Sequence, residues 1–388
     1  MAITEAGSAS ARRAERLALV LLVAAFLACN RGPVWSPDGE RVLIRHAPEE
    51  GLVRLVAVHP SDGTQRTLFE SEDVSAVSPL FDGKGTTWLL ASVSTADGDG
   101  SELVLGTLTG DGFAPRHRLG RDDSQTDGDG RVLLPWRLEG RELWGPLGPA
   151  QTLAVLDVES GEVARPFDED LRPAGVGPAG FVACRDAGGE VELVRVDTVE
   201  RAVTRVASLS ALARDLDLDV DLDPDAVDDD DCPLVGVGRE HLVLPAARGE
   251  DETLVVVRVA LASGEATVHA LPDVRQVGPF LAVGDDGTAW LTAVEGKVAV
   301  LLGVPPDGEG RRRIVLVRLG ETEIEDSDHD DLLFWMAPAP SPDGRWIAVS
   351  GVPTHDVDPS IPDLYLVDAR DPDAPVRLFD GERRRAPR

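Results

Sequence analysis

Trp35-Ser36-Pro37-Asp38-Gly39, followed by Arg41-Val42-Leu43-Ile44, has a second copy near the far end of the chain. There Pro340-Ser341-Pro342-Asp343-Gly344 leads into Arg345-Trp346-Ile347-Ala348-Val349. Each copy reads as a tight Pro-Asp-Gly turn feeding an apolar strand. The first is followed by a strand from Leu52 to Val58, a turn at Asp62-Gly63 and a strand from Thr64 to Phe69. The second is followed by Asp363-Leu364-Tyr365-Leu366-Val367-Asp368 and then Pro375-Val376-Arg377-Leu378-Phe379. Strand, turn, strand, turn, strand is the unit of an all-β meander.

Degenerate copies lie between these two. Apolar second strands are expected near Leu43, Leu89, Leu133, Val182, Val243, Trp290 and Ile347, spaced 46, 44, 49, 61, 47 and 57 residues apart. These spacings are close to or somewhat above a WD-type repeat of roughly 40–45 residues. The two longest gaps hold an Asp-rich insertion at 215–231 and a stretched region from Gly303 to Asp331. The expectation is a β-propeller of seven blades. The unit around Leu133 lacks a clear first strand and the one around Trp290 has an extra apolar run, Val298 to Val304, so six or eight blades also fit. The best helix candidate is short, from Leu209 to Arg214.

At these residues a resemblance appears. The Ser-Pro-Asp-Gly turn, the strand after it and the later Leu364-Tyr365-Leu366-Val367-Asp368 strand resemble the repeats of TolB-like envelope propellers. Similar repeats occur in the propellers of prolyl-oligopeptidase-type enzymes. The likeness covers the first and last units, and it implies blades rather than a ligand. The expectation it supports is the propeller without TolB's N-terminal domain, and so without the Tol-system role.

The N-terminus carries an address. Arg12, Arg13 and Arg16 precede an apolar run from Leu17 to Ala28 that ends at Cys29. Twelve helical residues reach only about 18 Å, short of a hydrocarbon core of roughly 30 Å, and the flanks are those of a secretory signal peptide. Phe26-Leu27-Ala28-Cys29 resembles a bacterial lipobox, which implies cleavage after residue 28 and lipid attachment at Cys29. Leu27 departs from the small residue usual there. The expected organisation is a signal peptide over 1–28, a propeller over 29–382 and a basic tail over 383–388. It implies an exported protein anchored by lipid to the bacterial envelope, sorted to the outer membrane if the host is Gram-negative.

The 388 residues carry a formal net charge of -31. Such acidity repels phosphate backbones, which argues against nucleic acid, and favours cations and basic partners. No nucleophile elbow, zinc-protease helix or phosphate loop is present in the sequence. His329 and His355, each beside aspartates, are the best acid–base or metal candidates among scattered histidines. The leading functional expectation is therefore a non-catalytic binding or scaffold module that presents one face to an envelope protein or peptide. The alternatives are a propeller enzyme of polysaccharide lyase or hydrolase type with an axial site, and a calcium-dependent adhesion protein.

Three further expectations concern particular residues. With Cys29 lipidated, Cys184 and Cys232 are the thiols left to pair in an oxidising compartment. From Asp215 to Asp225 aspartate falls on every second residue, which in an extended chain puts carboxylates on one face and suits an outer-edge strand. Asp223, Asp225, Asp228, Asp229, Asp230 and Asp231 could then gather oxygens around a weakly held calcium ion. Trp35, Trp88, Trp136, Trp290, Trp335 and Trp346 are expected to pack between blades, whereas Trp144, in a Gly- and Pro-rich stretch from Gly140 to Pro149, is expected in a loop where a partner could meet it.

Overall fold

The computed structural model describes residues 32–49, 52–82, 85–94, 101–110, 112–121, 136–147, 152–219, 232–249, 253–296, 298–318, 337–351, 363–371 and 377–379. They form seven antiparallel sheets, each a meander of consecutive strands. Blade 1 comprises Val34–Trp35, Val42–Glu49, Leu52–Val58 and Gln65–Ser71, and blade 2 comprises Val74–Phe81, Thr87–Ser94, Ser101–Thr109 and Gly112–Arg121. Blade 3 holds Arg137–Glu139, Glu142–Leu147, Thr152–Asp157 and Val163–Ala164; blade 4 holds Arg172–Gly177, Gly180–Asp186, Val191–Asp197 and Ala202–Ser208. Blade 5 runs through Gly236–Val237, His241–Arg248, Thr253–Ala260 and Ala266–Ala270. Blades 6 and 7 are Gln276–Val283, Ala289–Glu295, Val298–Val304 and Arg312–Arg318, then Ala337–Pro340, Trp346–Gly351, Asp363–Asp368 and Arg377–Phe379. The chain is a seven-bladed β-propeller. The run Val298–Val304, on which the blade count turned, is the third strand of blade 6.

The middle strands are mostly apolar on both faces because each sheet is covered on both sides by its neighbours. Thr253–Ala260 reads Leu-Val-Val-Val-Arg-Val after its first residue, and its Val255, Val256, Val257 and Val259 are fully buried. The core is a ring of clusters between blades. Trp290 of blade 6 packs with Ile347, Val349 and Tyr365 of blade 7, and Trp136 with Leu90 and Leu105 of blade 2. The tryptophans described at blade boundaries thus pack as expected, while Trp335 lies outside the described residues.

Among the described residues, blade 7 and blade 1 meet without exchanging a strand, since each is built from its own consecutive segments. The seam is closed by the Trp35 indole N–H, which donates to the Ala339 carbonyl at 2.8 Å, and by an apolar cluster of Trp35, Val42, Val56 and Val58 with Ala348, Leu364 and Leu366. Gly32 lies so close to Ala337 that a Cβ on it would stand 2.7 Å from the alanine methyl.

Three expectations need correction. The second strand of blade 3 is Glu142–Leu147 rather than a strand centred on Leu133, which lies outside the described residues. Trp144 sits in that strand, fully buried, and is not in a loop. Asp215 and Leu216 belong to a helix, α1, spanning Leu209–Leu216 and ending at Asp217 in the left-handed conformation (φ 53°). Among the described residues of the stretch, Leu218–Asp219 is extended, and it pairs with Ala247 and Arg248 in the second strand of blade 5, beside the inner strand and away from the outer edge. The alternation misled because helix α1 had a stronger local claim. The Ser208 hydroxyl accepts the Ala211 N–H as an N-cap, and the helix buries Leu209.

Candidate binding groove and the placement of predicted residues

Four of the outer strands (blades 1, 2, 4 and 6) pair with their third strands through register shifts. Such bulges bend the outer strands and sharpen their local twist. In blade 1 the shift falls between Leu55 and Val56, so Leu68 is the extra residue and Phe69 turns inward. In blade 2 Gly106, in the third strand, lies beneath the Phe113 ring. A Cβ there would stand 2.5 Å from the ring. The missing side chain lets Phe113 lie flat on its own sheet and meet Phe69 edge-on, with ring centroids 5.9 Å apart.

These two rings floor a cavity of about 540 Å³ between the outer strands of blades 1 and 2. Val74, Val93 and Val104 complete the floor, and Glu70, Asp73 and Arg118 stand at its walls. Arg54 pairs with Glu70 and Arg118 with Glu102, so two of the wall charges are neutralised by cross-strand partners. The volume lies in the range of small-molecule and peptide pockets, and polar and apolar groups share the lining about equally. One wall is the strand Gln65–Ser71, which among the described residues pairs with a neighbouring strand on one side only.

Toward the propeller axis the inner strands are tightly packed. Cβ atoms on Gly175 and Gly177 would lie 2.3 and 1.9 Å from the carbonyls of Val235 and Val237. Arg137 pairs with Glu139 at 2.6 Å and donates to the Gly177 carbonyl, while Thr198 donates to Glu139 at 2.5 Å. Arg137 and Glu139 thereby stitch blade 3 to blade 4. Tyr365, the one tyrosine, is buried in the core between blades 6 and 7.

Cys184, in the second strand of blade 4, and Cys232, just before blade 5, are joined in the structure, with Cα atoms 5.8 Å apart. Cys29, His329, His355, Asp223, Asp225 and Asp228 to Asp231 lie outside the described residues. Among the described residues no group of three or more His, Cys, Asp or Glu side chains is placed to hold a metal ion, and no helix is long and apolar enough to cross a membrane. The groove was missed in the sequence because its floor comes from two blades whose aromatics, Phe69 and Phe113, carry no motif. Gly106 inside an apolar strand was the available hint.

No family model matches this sequence, and no curated protein sequence matches it. Solved structures do. Oligogalacturonate lyase from Vibrio parahaemolyticus aligns at 10% identity over 88% of this chain and 90% of its own, with a TM-score of 0.52. The β-propeller domain of the Trilobed protease from Pyrococcus furiosus, described as having an open velcro topology, aligns at 12% identity over 92% and 98%, with a TM-score of 0.50. TolB from Acinetobacter baumannii is also matched, at 13% identity over 74% of this chain and 54% of TolB, with a TM-score of 0.36. The chain thus spans about half the length of that TolB. At such identities the likeness is one of fold.

Proposed function

We propose that this protein is an exported propeller, anchored to the bacterial envelope through a lipid on Cys29, that works as a non-catalytic binding module. The observation that carries this reading is the groove between blades 1 and 2. It combines an aromatic floor, charged walls and a strand edge paired on one side, which suits an extended segment of a partner protein. The signal-peptide pattern before Cys29 supports the location, and the acidity of the chain favours a partner with basic residues. A photo-crosslinking residue placed at Thr67 in the groove, in cells making the full chain, is expected to give a discrete protein adduct. The same residue at Val199, an 85% exposed position on blade 4, is the control and should give none. Labelling with an azido fatty acid should mark the wild type and not Cys29→Ser. No adduct at Thr67, or the same adduct from both positions, would refute the groove. Equal labelling of the two chains would refute the anchor.

A further inference from the structure

Arg258 is the one arginine in the third strand of blade 5, and its side chain is 2% exposed at the interface with blade 6. Its Nη1 donates to the Gly287 carbonyl at 2.8 Å and its Nη2 to the Val304 carbonyl at 3.0 Å, both in blade 6. Its Nε–H is buried with no acceptor. Among the described residues no carboxylate stands within ion-pair distance. Asp286 acts on the guanidinium from further away and accepts the Thr288 N–H within its own turn. An arginine cannot shed its proton, and a buried unpaired cation costs several kcal/mol even after relaxation, so the site has a charge to be met.

His269 lies beside it. The register sets Val256 opposite His269 and Arg258 opposite Thr267, which makes Arg258 and His269 diagonal neighbours on one sheet face. The His269 Nε2 is also buried without a partner. Its ring rests on Gly308 of blade 6, where a Cβ would stand 2.2 Å from Nδ1. The other charges facing the ring are Arg311 and Asp307, and Asp307 accepts the Glu309 N–H at 3.0 Å. A buried arginine N–H and a buried imidazole nitrogen, both without a partner, thus lie on one sheet face at a single blade junction. A water molecule would satisfy hydrogen bonds there but would leave the charge unmet.

We propose that a small monovalent anion, chloride in ordinary salt solution, binds between the Arg258 Nε–H and the His269 Nε2–H of blade 5 and holds the Arg258 side chain in the pose that bonds to blade 6. The site is structural and independent of the groove. Melting of the whole protein in sodium chloride and in sodium gluconate at equal ionic strength, at pH 7.5, tests it. Chloride is expected to raise the melting temperature by about 2 °C or more at saturation, with a hyperbolic dependence on concentration. Arg258→Met should melt at the same temperature in both salts. Should that variant not fold, His269→Gln is expected to shift the half-maximal chloride concentration several-fold upward. A bromide-soaked crystal should show anomalous density beside Arg258 Nε. Identical wild-type melting in the two salts, an unchanged chloride response in both variants, or bromide bound only elsewhere would each overturn the proposal.

Discussion

Glycines within strands are sockets for aromatic rings in this molecule, and the sequence hides them by resembling loops. Gly145 is the clearest case. A Cβ on it would stand 2.1 Å from the Trp136 ring, so the ring and the backbone are in direct contact. Gly303 does the same beneath Trp290, its cross-strand neighbour, at 2.8 Å. The stretch Gly140 to Pro149 reads as a loop because Gly and Pro usually punctuate strands. Among the described residues the inner strand of blade 3 pairs as far as Trp144, and Pro146 falls beyond that ladder, where no N–H is called for. Gly145→Val should therefore cost about 3 kcal/mol or more by forcing Trp136 out of its place, read as a lower urea midpoint with unchanged slope. A midpoint within error of wild type would mean the ring does not sit there. A second residue-scale expectation concerns His269. Burial first, and then Arg258 and Arg311, hold its pKa below the ordinary value of 6.5, against the opposing pull of Asp307. The unfolded chain consequently binds the proton at higher pH than the folded one. Stability is full above about 6.5 and falls as pH drops through the interval down to the depressed folded pKa. In chloride-free buffer His269→Gln should flatten the loss between pH 7 and 5, measured by denaturant midpoints, and a wild-type slope retained in the variant would contradict this.

At the level of elements, blades were legible where their turns carry the serine–aspartate pair and illegible where they lack it. In the first and last units Ser36 and Ser341 donate to Asp38 and Asp343, and the same hydroxyls accept the N–H of Arg41 and Trp346. The hydroxyl of each serine is the main reason its aspartate has a lowered pKa. These residue types are fixed by the hydrogen bonds, so the motif is visible. Blade 6 folds the same turn from Gly284-Asp285-Asp286-Gly287, with Gly287 N–H donating to the Gly284 carbonyl at 2.9 Å as Gly344 does to Ser341. Without the serine it carries no motif. Blades 3 and 4 turn through Gly140 and Gly180, both at positive φ, and give the eye less still. The link between blades 4 and 5 adds a covalent expectation. Closing the 48-residue separation between Cys184 and Cys232 is worth about 4 kcal/mol in the chain-entropy model. Alkylation of the exported, denatured protein without reductant should find neither thiol free, and reduction should lower the melting temperature by several degrees. Two reactive thiols before reduction would rule the bond out.

For the whole molecule, topology decides where the charge goes. The residues that link second to third strands, and each outer strand to the next blade, all leave the sheets from the same end. Asp and Glu crowd these links at 122–129, 168–170, 215–231, 250–252 and 321–331. Turns at the opposite end mix carboxylates with Arg41, Arg141, Arg239, Arg345 and Arg370. The described strand ends thus bring the attachment points of the acidic links to one end of the sheets, where like charges repel. Against this stand ion pairs between turns and strands, such as Arg345 with Asp368 and Arg201 with Glu142, which salt would weaken. Exposed pairs of that kind are worth roughly 0–1 kcal/mol each, and at high salt they lose only part of it. Repulsion among the uncompensated carboxylates outweighs them, and at 0.15 M ionic strength the screening length of about 8 Å is short enough to cut repulsion between neighbouring links. Stability should thus rise with ionic strength. Between 10 and 200 mM sodium gluconate, which leaves out any specific effect of chloride, the melting temperature is expected to climb by several degrees and then level off. A fall over that range would mean the ion pairs outweigh the acidic end, and a flat response would mean the two cancel; either result contradicts the expectation.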